Sequence, residues 1–258
     1  MKKIIKNPLT ILVLGLIIVA GSSVGATRAA MGYSSAAENV DFETEKLLVD
    51  LQEDIEGNNG NYVSIGLTQS DSNNKNKVGK LNLTTVSKQI TEDNKLKVNY
   101  DYDENVKIQN TSTGEYDEYV RVLVRKSWIN SDGTKNTNLD PSVITLKTTS
   151  DWVEDTTEKT TEGSVYYYKK PLAVNGEVQF LDAISFEREI LNGVTTTNVS
   201  QDGTIVKNVY GYDGKTFEIE IRVDAVQTHS GAEAILGAWG VDATIDANGN
   251  ITSINGSN

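Results

Sequence analysis

Residues 216–225 read TFEIEIRVDA, and their alternation decides the fold class. Phe217, Ile219, Ile221, Val223 and Ala225 fall on one side of an extended chain. Glu218, Glu220, Arg222 and Asp224 fall on the other. Successive side chains of a strand point to opposite faces, so this period describes a strand buried on one face only. The stretch EYVRVLVRKSW (118–128) repeats it, with Val120, Val122, Val124 and Trp128 on one face and Arg121 and Arg125 opposite. Shorter copies occur at Leu47/Val49/Leu51, Val63/Ile65/Leu67, Leu96/Val98/Tyr100 and Val106/Ile108, and Tyr166 to Tyr168 mark an aromatic strand.

Asn-Gly or Asp-Gly dipeptides punctuate the chain, among them 59–60, 132–133, 175–176, 192–193, 202–203, 213–214 and 248–249. Such pairs suit tight hairpins, where the central residues take positive φ. Only three prolines interrupt the chain, and long helical periods between strands are missing, which disfavours a parallel α/β organisation. The expected fold is all-β, an antiparallel jelly-roll-like sandwich spanning 45–245, followed by a polar C-terminal tail at 246–258. One short helix is expected at about 231–239. Ser230 and Glu233 have capping-box spacing, Ala232, Ile235, Leu236 and Trp239 recur at helical spacing, and Gly240 supplies the stop. Trp128, Trp152 and Trp239 read as core. Residues 52–100 could join the sandwich or form an extra lobe.

The N-terminus reads as a targeting segment. Lys2, Lys3 and Lys6 precede an apolar run from Leu9 to Ala20, too short for the roughly 20 apolar residues of a membrane span. Small residues follow, as a signal peptide requires. Cleavage after Ala26 or after Ala29 satisfies the small-residue rule, and the bond between Ala29 and Ala30 is preferred. The cut removes Lys2, Lys3, Lys6 and Arg28 and takes the formal charge from −12 to −16. An acidic chain is repelled by nucleic acid and anionic membranes, so neither is an expected partner. With no cysteine, the fold has no disulfide and no thiolate chemistry.

Catalytic signals are sparse. His229 is the single histidine, so a His-based zinc site or a H-E-x-x-H motif cannot form, and a surface position before the helix is expected. No G-x-S-x-G surrounds a serine. The runs DYDEN (101–105) and DANGN (246–250) offer oxygen ligands for calcium without EF-hand spacing. No cofactor is expected, and no enzyme activity.

LGLIIVAGSSVGATRAAMGYSS (14–35) resembles the signal peptides cut by SipW-type peptidases of Gram-positive bacteria, with Tyr33 where an aromatic cluster often follows the cut. VKIQNTSTGEYDEYVRVLVRKSW (106–128), WVEDTTEKTTEGSVYYYKKPLAVNGE (152–177) and FEIEIRVDAVQ (217–227) with AEAILGAWGV (232–241) resemble, in order, segments of the TasA/camelysin group. The resemblance covers the signal region and roughly 105–240. It implies secretion, a sandwich fold and assembly into fibres of the biofilm matrix. Its partners would be further copies of itself, the signal peptidase during export, and other matrix proteins, with no membrane anchor after cleavage. Residues 30–44 would then be a donor strand, inserting Met31, Tyr33, Val40 and Phe42 into a neighbouring subunit. A monomeric surface binding or adhesion module is the alternative. Some camelysin-type members are described as metalloproteases; without a histidine motif here, that activity ranks last.

Overall fold

The computed structural model describes residues 47–55, 60–65, 77–92, 95–112, 116–198 and 206–255. The chain divides into two units, Met1–Thr44 and Glu45–Asn258, and every described residue belongs to the second. Its first strands are β1 (Val49–Asp54), β2 (Tyr62–Ser64), β3 (Lys77–Lys80), β4 (Tyr102–Asn110) and β5 (Glu118–Ile129). Next come β6 (Lys135–Asn136), β7 (Ile144–Thr148), β8 (Trp152–Glu154), β9 (Gly163–Tyr168) and β10 (Glu177–Phe186). The last are β11 (Thr195–Asn198), β12 (Val206–Val209), β13 (Thr216–Gln227), β14 (Ala243–Ile245) and β15 (Ile251–Ile254). Helix α1 (Thr84–Glu92) precedes β4, and α2 (Gly231–Trp239) follows β13.

Two antiparallel sheets form the body, one ordered β2-β1-β4-β10-β7 and the other β3-β13-β5-β9-β8, with β6 pairing on β5. From β3 to β10 the chain crosses between the sheets at five of its seven connections, as suits the antiparallel sandwich expected. The ladder of β13 on β5 runs all twelve residues, setting Phe217 opposite Trp128 and Val223 opposite Val122. The apolar sides of these two strands are the ones predicted. Val120, Val122, Val124, Ile219, Ile221 and Val223 meet Leu51, Ile108, Phe180 and Ile144 of the facing sheet in the main core.

The opposite face of the β13-β5-β9 sheet is covered as well. Tyr119, Val165, Tyr167 and Val226 form a second core with Ile235 of α2, Val241, and Ile251 and Ile254 of β15. β9 therefore feeds both cores: Tyr166 packs edge-on to Phe180 at 5.4 Å, while Tyr167 faces Trp239 at 5.5 Å. Arg121, at the edge of this second core, pairs with Asp224 at 2.5 Å and lies 5.0 Å over the Trp239 ring.

Several local expectations are corrected. The C-terminal stretch is not simply a polar tail: β14 and β15 form a hairpin, and Ile251 and Ile254 are buried. Its turn is organised by Asp246, whose carboxylate accepts the N–H groups of Asn248 and Asn250, with Gly249 at φ +83°. Ser230 does not cap α2. It sits in the left-handed region (φ +50°), where its hydroxyl makes no capping hydrogen bond, although Gly240 closes the helix as expected. Trp239 is half-buried and Leu236 exposed, so the apolar face of α2 is narrower than its sequence suggests. Residues 96–100 form no strand; they turn at 98–99, with Asn99 at φ +53°.

Residues 77–92 and 95–110 belong to the sandwich. β3 is the edge strand beside β13, and α1 packs Val86 and Ile90 on the main core. At that edge Gly79 approaches the neighbouring strand end so closely that a Cβ would lie 2.5 Å from the Ile65 carbonyl oxygen. A side chain there would force the two sheet edges apart.

Candidate functional site

Ala29, Ala30, Met31, Tyr33, Val40 and Phe42, the residues singled out for cleavage and strand donation, lie outside the described residues. His229 is exposed beside the start of α2. The DYDEN run is split by the period of β4: Asp101 and Asp103 are exposed while Tyr102 and Glu104 are buried. Its carboxylates therefore do not converge. Among the described residues no group of three or more His, Cys, Asp or Glu side chains is placed to hold a metal. Nor is any helix there long and apolar enough to cross a membrane.

Three features had no counterpart in the sequence reading. The first is a set of buried carboxyls. Glu53, Asp54 and Glu104 lie together where β1 and β4 run side by side, each about 1% exposed. The Glu53 carboxylate accepts the backbone N–H groups of Asn82 (2.9 Å) and Leu83 (3.2 Å), tying β1 to the chain entering α1. Burial, and then the neighbouring Glu53, push the Glu104 carboxyl far above the usual carboxylate range, so it stays protonated. Glu118 accepts the Ser112 hydroxyl at 3.1 Å, and burial pushes it up to about 8. Lys126 is also turned inward by the period of β5. It donates to the Ile144 carbonyl at 2.5 Å, and burial lowers its pKa.

The second feature is a pocket of about 490 Å³ at one end of the sandwich. Ile90 of α1, Trp128 of β5, Phe186 of β10, Ile190 and Phe217 form its walls. Tyr212 tilts against Trp128 at 4.9 Å. Lys95, Leu191, Tyr210, Asp213 and Lys215 surround the mouth. These groups come from six separate segments, which explains why no local motif announces them.

The third is the edge of the second sheet. β13 is twelve residues long and paired along its whole length with β5, yet β3 pairs only with Glu220–Val223. Among the described residues, no strand lies on that side of Ala225, Val226 and Gln227. A peptide adding there would extend a ladder in which β13 is already paired along its length by β5. Its alternate side chains would fall beside Ala225, which packs on the main core, and beside Val226, which belongs to the second. Chemically this is a receptor for main-chain hydrogen bonds rather than a reaction centre.

Compared with family models, curated proteins and solved structures, the chain returns no match.

Proposed function

We propose that this protein is a secreted, non-enzymatic structural subunit of an extracellular biofilm matrix. In this reading, peptidase cleavage between Ala29 and Ala30 frees residues 30–44, and that segment adds a strand to the next subunit. The observation that carries it is the mismatch at the sheet edge, where, among the described residues, β3 pairs with four of the twelve residues of β13. The ordered resemblance of the signal region and of 105–240 to exported matrix proteins supports the same reading.

Strand addition draws affinity from main-chain hydrogen bonds and register from alternate side chains. Met31 and Tyr33 are two residues apart, as are Val40 and Phe42, so each pair shares one face of an extended chain. The two pairs differ in parity, so a continuous strand turns one pair toward each face of the sheet. Retention of residues 1–29 holds the donor back, which couples assembly to export.

Negative-stain electron microscopy of residues 30–258, beside a chain starting at Leu47, tests this. Fibres from the longer chain and single particles from the shorter one are the expected outcome. Single particles from both, across pH, salt and concentration, would exclude strand donation by the protein alone. The end pocket favours a second reading, a monomeric surface binding module, which the latter result would bring forward.

A further inference from the structure

We propose that the pocket at the end of the sandwich binds a small single-chain carboxylate, with its acyl chain among the aromatic walls and its head between Lys95 and Lys215. This assigns a ligand site independent of fibre assembly.

The pocket has the volume of an ordinary small-molecule site, and its lining is predominantly apolar. The polar atoms of its wall aromatics are already engaged outward. Trp128 donates its indole N–H to the Asp140 carbonyl at 3.0 Å, and the Tyr212 hydroxyl accepts the Asp140 N–H at 3.3 Å. What these side chains offer the cavity is hydrocarbon and ring surface, which suits an acyl chain. A sugar buried there would leave hydroxyls unpaired, at a cost of about 1–3 kcal/mol for each.

The mouth supplies the charge. Lys95 and Lys215 are both exposed at the rim, and neither has an ion-pair partner within 4 Å among the described residues. The acid at the same mouth, Asp213, has its carboxylate turned into the local loop, where it accepts the Tyr210 N–H at 3.0 Å. In a chain of net charge −12, two ammonium groups with no ion-pair partner among the described residues, set against the single Asp213 at the same mouth, are a local excess of positive charge. An anionic head on an apolar body matches both halves, whereas a neutral or cationic head matches only one.

The test uses the full chain, uniformly labelled with ¹⁵N, and titrations with decanoate, decanol and decyltrimethylammonium below their micelle-forming concentrations. Amide shifts read the site directly, so binding elsewhere on the chain is distinguished. The expected result is saturable movement of Ile90, Leu96, Ile190, Leu191 and Phe217, with decanoate about tenfold tighter than decanol, as expected for charge-assisted contacts. The double variant K95E/K215E alters only exposed side chains; it should lose that preference while decyltrimethylammonium gains. Raising the salt should shrink the preference in the parent. Absence of saturable shifts at these residues would overturn the assignment. So would equal affinities for decanoate and decanol, or a preference that survives in K95E/K215E.

Discussion

Glu104 is buried beside a second carboxylate, and its proton is what makes that position tolerable. The pH dependence follows from the sign of the shift. A carboxyl held protonated in the fold contributes stability that is complete below its unfolded pKa. That contribution is lost as pH rises, because the unfolded chain ionises freely while the native one cannot. For Glu118 the window runs from the ordinary range near 4.5 up to about 8, and Glu104 extends the decline in the same direction. Stability measured by urea unfolding should therefore fall from pH 5 to pH 8. The variant E104Q should unfold at higher urea than the parent at pH 8, by about 1–2 kcal/mol, and nearly level with it at pH 4.5. Equal stability of E104Q and the parent at pH 8 would overturn this account. None of this was legible in the sequence: the alternation of β4 puts Glu104 inward, but only the third dimension sets Glu53 against it.

Helix α2 separates what a motif promises from what a backbone permits. Ser230-x-x-Glu233 has capping spacing, yet Ser230 occupies the left-handed region and its hydroxyl does not reach the helix amides. A working cap costs about 1 kcal/mol when replaced by alanine. Ser230→Ala should instead change stability by less than about 0.5 kcal/mol, whereas Ser230→Gly should stabilise slightly by relieving the positive φ. Thermal unfolding of both variants checks this, and a loss near 1 kcal/mol for Ser230→Ala would restore the cap. The cause lies in Gly231, where a Cβ would stand 2.6 Å from the Tyr119 ring: packing against β5, not capping, sets how the chain turns into the helix. The long strands were readable because period two, sustained over ten or more residues, has no competing explanation. α1 was not, since only Val86 and Ile90 mark its buried side amid threonines, which read as strand or loop.

Within the unit Glu45–Asn258, one sheet is layered on both sides. The β14–β15 hairpin and α2 lie over the face of β5 and β9 that would otherwise expose Tyr119, Val165 and Tyr167. Ending the chain after Asp242 should therefore lower the urea midpoint by the equivalent of several kcal/mol, because Ile251 and Ile254 are fully buried. A dispensable tail would leave that midpoint unmoved. The sandwich class was legible from alternation and turn dipeptides; the hairpin was not, because two isoleucines among thirteen mostly polar residues carry no visible period. The central ladder has one more consequence, and it concerns time. β5 is complete at Ile129, but its full-length partner begins only at Thr216. At ribosomal rates of about 5–20 residues per second, the first strand waits on the order of ten seconds for the second. High contact order of this kind also slows closure itself to milliseconds or longer. The nascent chain thus passes through a built-in interval in which it is made but not yet knotted into its native sheet, and any machinery that needs an open polypeptide has that interval in which to act.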